Sequence, residues 1–362
     1  MTRMNLPEKN VPYDFQNHPH AFRQTCLQLK IKQRPEDFVV NEVLGFDPSD
    51  EGDHCFLYIE KKNCTTLYVR ELLAKLFNIK PMHVGYSGLK DKHAVTQQWF
   101  SIKTNEEDKV INRRFILGDQ SSSQSIQVLS KRRHSRKLKI GTHKANHFQI
   151  FIADIKGGSD HIDNADYQEI CEQVLNEIRM YGFPNYFGNQ RFGRQGSNLE
   201  KAVEMFNVER TFSKEKSSLF ISAARSYLFN ALLAKRVANK SWRTYVDGDR
   251  LILSGTRSFF TIEPDCREER EEVERRLASN DIAIAGFPSQ TAFNSDYIAQ
   301  TLSEGLLSIQ LKDKPRPLSV VPTDLESQWN TDSGQLNLGL SFTLPTGSYA
   351  TALIKELGNV AG

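Results

Sequence analysis

The sequence predicts an α+β protein in which the chain builds a first domain around a mixed or antiparallel sheet, leaves it to form a second, smaller α+β domain, and returns. Residues 1–155 contain mostly strand-like segments and few helical ones. Residues 240–318 change character, with short apolar segments and several glycines and prolines. Residues 336–345 then alternate apolar and polar positions, as a half-buried strand does. A chain of 362 residues also exceeds the ~250–300 residues at which single cores stop growing.

The elements of the first domain follow from local patterns. Between the first two strands, Pro35 fixes its own φ angle and Asp37 favours a turn, so residues 34–37 are predicted to turn. Thr65 or Thr66 is suited to cap the helix that follows, in which apolar residues recur at helical spacing. A loop from residue 86 leads into a strand that ends near 103. The other predicted strands are 27–32, 38–44, 55–62, 125–131 and 147–155.

Helices are predicted further along the chain. Residues 164–181 form the first, and residues 219–238 have the strongest helical periodicity of the sequence. After the strand at 336–345, the segment 347–357 is predicted to be helical. The later part of the chain therefore contributes more helices than the first part.

Composition excludes several classes of protein. Hydrophobic residues make up 39% and charged residues 25%, which is typical of a globular chain. No run of about 18 apolar residues occurs and the N-terminus lacks an apolar signal segment, so we expect a cytoplasmic protein without a membrane anchor. The five cysteines form no C-x-x-C pair, and no P-loop, dinucleotide-binding or metal motif is present. We therefore expect no cofactor and no metal.

A basic segment indicates a polyanionic partner. Residues 131–144 contain seven Lys or Arg residues and no acidic one, while the net charge of the chain is only +3. Concentrated positive charge of this kind is typical of surfaces that bind nucleic acid. The alternative is a hairpin that is merely exposed. The residues that we expect to contact RNA phosphates are Arg132, Arg133, Arg136, Lys137 and Lys139.

The segment GLKDKHAVTQQ (88–98) is the best candidate for chemistry. Asp91 stands between Lys90 and Lys92, and these cations favour the carboxylate form. An ionised carboxylate on a loop can act as a nucleophile or a base. Gly88 permits a close backbone approach or a positive φ angle. The alternative is an aspartate in a charged surface turn.

A second segment, PNYFGNQRFG (184–193), interleaves aromatic and polar residues. Such residues can stack on bases and bind their edges. Composition alone favours the alternative, in which the aromatic side chains are core and the glycines permit a tight path.

These segments carry a specific resemblance. The chain resembles the TruD family of pseudouridine synthases, which modify uridine-13 of tRNA. Six motifs follow one another in the family's order over more than 300 residues. They are RPEDFVVNE (34–42), GLKDKHAVTQQ (88–98), HSRKLKIGTHKANHF (134–148), PNYFGNQRFG (184–193), SAARSYLFN (222–230) and FTLPTGSYAT (342–351).

The resemblance implies a fold and a set of roles. It implies a pseudouridine synthase catalytic domain at 1–183 and 319–362, with a TRUD insertion domain at 184–318. Asp91 matches the catalytic aspartate and Lys32 a basic residue near it. The residues that match the uridine pocket are Phe38, Asn146, Phe148 and Phe342. Phe38 and Phe342 also fit a purely structural role, because both lie in apolar strands.

The function implied is isomerisation of uridine to pseudouridine in tRNA, without a cofactor and without an obligate protein partner. Nothing is oxidised in this reaction, which agrees with the missing cofactor motifs. One alternative is a synthase that acts on another RNA. A second is a non-catalytic RNA-binding protein, for which the intact motif around Asp91 would serve no purpose. A metal-dependent nuclease would need a second carboxylate cluster, which the sequence lacks.

Overall fold

The computed structural model describes residues 17–22, 27–105, 114–117, 124–157, 164–207, 212–256, 258–262, 266–286, 296–311 and 314–361. The helices are α1 (Thr66–Leu76), α2 (Asn164–Tyr181), α3 (Ser197–Asn207), α4 (Lys214–Ala238), α5 (Arg267–Ala278), α6 (Tyr297–Ser308) and α7 (Ala350–Leu357). The strands are β1 (Gln28–Ile31), β2 (Phe38–Leu44), β3 (His54–Lys62), β4 (Gly85–Tyr86), β5 (Val95–Lys103), β6 (Arg114–Leu117), β7 (Gln124–His134), β8 (His143–Lys156), β9 (Phe183–Pro184), β10 (Arg250–Leu253), β11 (Phe259–Phe260), β12 (Ile282–Gly286), β13 (Arg316–Pro317), β14 (Ser319–Val320), β15 (Thr323–Asp332), β16 (Gln335–Pro345) and β17 (Asn359–Ala361).

The chain divides into two compact units. The sheet unit comprises Cys26–Ile170, Pro322–Gly347 and Val360–Gly362. The helix unit comprises Met1–Thr25, Cys171–Val321 and Ser348–Asn359. The predicted assignment of a catalytic domain to 1–183 and 319–362, with an insertion domain at 184–318, stays a prediction.

The main sheet lies in the sheet unit. Its strands follow the order β15-β16-β8-β2-β5-β3-β7-β6, with β1 beside β8 and β4 beside β5. Strands β2 and β5 run parallel, whereas β8 pairs antiparallel with β1, β2 and β16. The described sheet is therefore mixed, as the sequence predicts.

Strand β8 is the longest of the described strands and holds the sheet together. It spans 14 residues, against the nine that the alternation predicts, because it starts at His143 rather than at His147 and ends at Lys156 rather than at Ile155. The added residues pair with β2, where Leu44 lies opposite His143. Polar residues occupy much of this extension, so hydrophobic alternation could not reveal it.

Helix α1 covers part of one face of the sheet. Thr65 is its N-cap, and its side chain accepts a hydrogen bond from the Tyr68 N–H at 3.1 Å. This confirms one of the two predicted capping residues. The helix packs Val69 and Leu73 into a buried cluster with Leu57 and Ile59 of β3. The face of β3 that carries Leu57 and Ile59 also carries Lys61, because alternate residues of a strand share a face.

The helix unit has its own core. Helices α3, α4 and α6 pack around Leu199, Leu228 and Leu302, all fully buried. A four-stranded antiparallel sheet of order β11-β10-β12-β13 lies in the same unit. Helix α4 starts five residues before the predicted residue 219, because Ser213 caps it and accepts from the Lys216 N–H at 3.5 Å.

Close packing at Gly305 gives a stability prediction. A Cβ atom at this position would lie 2.2 Å from Phe206 Cγ. In Gly305→Val, helix propensity alone would gain about 0.4 kcal/mol. Overpacking typically costs about 1–3 kcal/mol, so we expect the free energy of unfolding to fall. Denaturant unfolding checks this, with Leu307→Val on the exposed side of α6 as the control. An unchanged or higher free energy would contradict the packing argument.

Two further findings concern the described residues. None of the helices in these ranges is long and apolar enough to cross a membrane. None of the four described cysteines, Cys55, Cys64, Cys171 and Cys266, forms a disulfide bond with another described residue. Cys26 lies outside the described residues.

Candidate active site

Strand register brings four of the predicted pocket residues to one face of the sheet. Phe342 on β16 lies directly opposite Phe148 on β8, and Val40 on β2 lies opposite Phe148 from the other side. Phe38 is two residues before Val40 and therefore points to the same face. Two residues before Phe148, Asn146 joins this face as well.

The three phenylalanines form an apolar floor. The Phe38 and Phe148 rings meet edge to face, with centroids 6.1 Å apart. The Phe148 and Phe342 rings stack, with centroids 5.5 Å apart. Phe38 is 2% exposed, Phe148 is 7% exposed and Phe342 is fully buried. This burial shows that the three side chains belong to the core, and their part in a uridine pocket stays a prediction.

The loop that carries Asp91 is fixed to this face at three backbone atoms. Gln98 Nε2 donates to the Gly88 carbonyl oxygen at 3.2 Å, and Thr66 Oγ1 accepts from the Lys90 N–H at 3.0 Å. Lys61 Nζ donates to the Asp91 carbonyl oxygen at 2.6 Å. These bonds hold the backbone of the loop from β5, α1 and β3, so the Asp91 side chain is presented from a rigid support.

Lys32 joins the aspartate to the aromatic floor. Its Nζ lies 3.4 Å from Asp91 Oδ2 and 4.0 Å from the centroid of the Phe38 ring. The Asp91 side chain keeps 23% of its surface exposed, so a ligand can reach it. Lys32 has a φ angle of 56°, in the left-handed region that residues other than glycine rarely adopt.

The Lys90 side chain binds Glu42 and Asn146 directly, rather than the neighbouring Asp91 carboxylate. Its ammonium lies 3.1 Å from Glu42 Oε2 and donates to Asn146 Oδ1 at 2.5 Å. Lys90 is still attracted electrostatically to Asp91, as expected of a flanking cation, while the direct contact at Oδ2 comes from Lys32. Burial raises the pKa of the Glu42 carboxyl against the attraction of Lys90, and burial lowers the pKa of Lys90.

Lys61 is fully buried beneath Asp91. Burial lowers the pKa of its ammonium from 10.5 to about 8, although the nearby Cys64 and Asp91 act in the opposite direction. The 2.6 Å bond to the Asp91 carbonyl gives this costly buried group a clear positioning role.

Of the two predicted reasons for a glycine at position 88, a close approach or a positive φ angle, the structure confirms the close approach. A Cβ atom there would lie 3.0 Å from His143 Cε1, so the residue permits a close approach, and its φ angle is not positive. Ser87 Oγ accepts from the His143 N–H at 2.7 Å and lies 2.5 Å from His143 Nδ1. Burial lowers the pKa of His143 to about 4, with Lys90 acting in the same direction, so the ring is neutral at pH 7. The contact ties β8 to the start of the loop that carries Asp91.

The basic segment separates into two groups. Arg132 pairs with Asp50, Arg133 donates to the Thr104 carbonyl at 2.7 Å, and Lys137 donates to the Met82 carbonyl at 2.5 Å. Arg136 and Lys139 are exposed, and neither side chain has a partner among the described residues. Three of the five predicted RNA contacts therefore also brace the protein, while two are free to bind a ligand.

The segment 184–193 lies in the helix unit. Tyr186 and Phe192 are fully buried and Asn185 is 2% exposed, which agrees with the core interpretation for these residues. Phe187 and Arg191 are partly exposed and contact each other, with the guanidinium 5.2 Å from the ring centroid.

No metal site is visible in the described part of the chain. No group of three or more His, Cys, Asp or Glu side chains lies close enough to hold an ion there. The candidate site instead combines an accessible carboxylate, one lysine in contact with it, an amide and an apolar floor.

Comparison with known proteins decides the family. The family model of tRNA pseudouridine synthase D (TruD) matches residues 18–203 and 195–357. The chain belongs to the TruD family. This confirms the resemblance that the six motifs carry, and both matched ranges together include every predicted site residue.

Relatives within the TruD family support the assignment along nearly the whole chain. The tRNA pseudouridine synthase D of Methylococcus capsulatus is 37% identical over 356 residues, covering 95% of this chain and 94% of that protein. That of Psychrobacter arcticus is 33% identical, with 94% and 92% covered. A crystal structure of a Methanosarcina mazei protein assigned to TruD has a TM-score of 0.66, 18% identity and 98% coverage of both chains. The last comparison confirms the predicted fold class.

Sequence reasoning misses several charged residues that surround the candidate site. It assigns no role to Glu42 and Lys61, and it treats Lys90 only as a neighbour of Asp91. Glu42 and Lys61 lie in strand segments whose pattern predicts nothing beyond a strand. A charged residue on the apolar face of a predicted strand is the one signal available, since such a residue needs a buried partner.

Proposed function

We propose that this chain converts uridine to pseudouridine in tRNA, at uridine-13, with Asp91 as the catalytic residue. The observation that carries the proposal is the Asp91 carboxylate, which is accessible, contacts Lys32 and stands on a loop fixed from three elements of the sheet unit. The names of the relatives support tRNA as the substrate class.

The reaction requires few groups. The bond from N1 to C1′ breaks, the bond from C5 to C1′ forms, C5 loses a proton and N1 gains one. Asp91 can form a covalent bond to the sugar or base, or it can remove a proton from the sugar so that a glycal forms. The separated base must be held until it has turned. The floor of Phe38, Phe148 and Phe342 and the Asn146 amide are suited to hold it.

Lys32 completes the arrangement. Its ammonium contacts both the Asp91 carboxylate and the Phe38 ring, so it orients the carboxylate relative to the floor. The target base has to leave its stack to reach Asp91. Contact with aromatic residues can replace the lost stacking at roughly 1–3 kcal/mol per base.

Pseudouridine mapping tests the proposal. Pure protein is incubated with unmodified tRNA, without added cofactor or metal, and the products are labelled with carbodiimide. We expect one new pseudouridine, at position 13. A product at another position would overturn the assignment of the target, and no product on any tRNA would overturn the assignment of the substrate.

Ribosomal and messenger RNA fragments assayed in parallel separate the alternatives. A product on one of them and none on tRNA would favour a synthase with another RNA substrate. Tight RNA binding without any product on the three classes of RNA would favour the non-catalytic RNA-binding protein.

The free basic side chains give a second prediction. In the double variant Arg136→Glu and Lys139→Glu, tRNA affinity should fall and depend less on salt. Each lost phosphate contact removes about 0.7–0.9 from the slope of log affinity against log salt concentration, so the slope should change by roughly 1.5. Filter binding over a salt series measures this.

The matched control is Arg267→Glu with Arg275→Glu on the exposed side of α5, which changes the net charge by the same amount. An unchanged slope in Arg136→Glu with Lys139→Glu would place the RNA path elsewhere. A cytoplasmic location and the absence of an obligate protein partner stay predictions.

A further inference from the structure

The buried pair of Glu42 and Lys90 touches the site through a single atom. Their side chains are 0% and 5% exposed, and the ammonium lies 3.1 Å from Glu42 Oε2. The other Glu42 oxygen accepts from the Trp99 N–H at 3.1 Å, so both carboxylate oxygens lie against donors. The same ammonium donates to Asn146 Oδ1 at 2.5 Å. The pair thus contacts the candidate uridine pocket through the bond from Lys90 to the Asn146 side-chain oxygen.

That contact fixes which way the amide faces. An ammonium group has donors only, so the amide atom beside it must be the oxygen. The Asn146 NH₂ group is then turned away from Lys90. Within the described part of the chain it donates to no acceptor, and its nitrogen is not among the buried polar atoms that lack a partner. The NH₂ group is therefore an open donor that reaches solvent.

Strand register sets where this donor lies. Asn146 is opposite Glu42 on β2 and Leu344 on β16, two residues from Phe148 on the face that forms the apolar floor. Lys90, which holds the amide oxygen, is the residue immediately before Asp91. The donor thus stands beside the floor and within reach of the loop that carries the aspartate.

We propose that Glu42 and Lys90 are positioning residues that make Asn146 a donor-only contact for the target base, directed at O4 of uracil, and so select uridine over cytidine. The inference rests on the proposed function. Uracil has an oxygen acceptor at position 4, where cytosine has an amino donor. With its oxygen held by Lys90, Asn146 can bind the first and cannot accept from the second. A free amide could turn over and accept either base.

Base preference in binding tests the proposal. Two tRNA transcripts, with uridine or cytidine at the position that the wild-type enzyme modifies, are compared in an Asp91→Asn background that stops turnover. High salt suppresses the contribution of phosphate contacts. A donor facing a donor leaves a buried group unpaired, so we expect the cytidine transcript to bind at least tenfold more weakly. Equal binding of the two transcripts would overturn the proposal.

The decisive variant combines Lys90→Met with Glu42→Gln. It replaces the ion pair by neutral groups of similar size, which buried sites often tolerate, and the introduced glutamine can still accept from the Trp99 N–H. The Asn146 amide is then free to turn, so the ratio of the two dissociation constants should fall about tenfold, towards one. A ratio that stays at the wild-type value would overturn the role of the pair.

Asn146→Asp provides an independent measurement. A carboxylate offers acceptors only, so the preference should shift from uridine towards cytidine, while a purely structural role would leave the ratio unchanged. A 4-thiouridine transcript, whose sulfur is a weak acceptor, should bind more weakly than the uridine transcript in the Asp91→Asn background, and equal binding of the two would contradict a hydrogen bond to O4. If mapping finds no modified position at all, the proposed function has failed; if the position exists and the ratios do not change, only the orientation of Asn146 has failed.

Discussion

Asp91→Asn is expected to abolish pseudouridine formation while RNA binding stays within about twofold. Asparagine has nearly the same shape, and its backbone keeps the bond from Lys61 to the residue 91 carbonyl. It cannot act as a nucleophile or as a base, so the rate should fall by at least ~10³-fold, in line with the loss of a positioned acid–base or covalent group. Carbodiimide mapping over long incubation measures the residual rate.

Asp154→Asn is the matched control for Asp91→Asn. Asp154 lies in the same unit and also pairs with a lysine, with Lys30 Nζ 2.5 Å from its Oδ2, and its φ angle of 51° suits asparagine. We expect wild-type product yield from it. Turnover retained in Asp91→Asn would remove the aspartate from the mechanism, whereas loss of turnover in both variants would indicate a general effect on the sheet.

Lys61→Met should separate activity from stability. Methionine replaces the ammonium by an apolar group of similar length, so the Asp91 carbonyl loses its partner and the loop can shift. A displacement of about 1 Å at a reacting group can cost roughly 10²-fold in rate, and we expect a loss of this size in kcat/KM. Removing a fully buried charge should at the same time leave the free energy of unfolding unchanged or raise it.

The lowered pKa of Lys61 makes the free energy of unfolding depend on pH. The folded-state pKa of about 8 lies below the ordinary value of 10.5, so in this window the unfolded chain binds more protons than the folded one. The wild-type protein therefore gains stability relative to Lys61→Met as pH rises from about 8 towards 10.5. Denaturant unfolding at several pH values measures the difference.

Lys62→Met is the control for Lys61→Met. Lys62 is the next residue along β3, but its side chain is 25% exposed and pairs with Glu36 rather than with the loop that carries Asp91. Its replacement should leave kcat/KM within about twofold. Equal losses in the two variants would show that the strand, and not the bond to Asp91, is responsible.

Local sequence patterns predict those helices and strands that have clear hydrophobic periodicity or a capping residue. Helix α2 has the same bounds, 164–181, that its periodicity predicts, and Thr65 caps α1 as expected. The pattern misses strand β15, because its ten residues include only Leu325 and Trp329 as apolar positions and it pairs with β16 alone. An edge strand of this kind buries little surface, so the hydrophobic pattern that would predict it is absent.

The candidate site likewise combines residues that a local sequence pattern predicts with residues that only the strand register brings together. Asp91 can be singled out because its charged neighbours and Gly88 are adjacent in sequence. Glu42 and Asn146 lie opposite each other through the register of β2 and β8, and Lys61 reaches the Asp91 carbonyl from β3, so no single segment contains that information. Likewise, the sequence alone cannot distinguish Arg132, which pairs with Asp50, from the free Arg136, because the acidic partner lies far away along the chain.

The position of β16 beside β8 has a consequence for synthesis on the ribosome. Phe342 covers the Phe148 ring from a strand that is translated only after most of the helix unit between them has been made. At about 5–20 residues per second, a nascent chain spends many seconds with β8 lacking this neighbour. During that interval an unpaired strand edge and an uncovered aromatic ring are open to wrong partners. We therefore expect chaperone dependence of the emerging chain to be greatest before residue 345 is released, and modification of RNA to begin only afterwards.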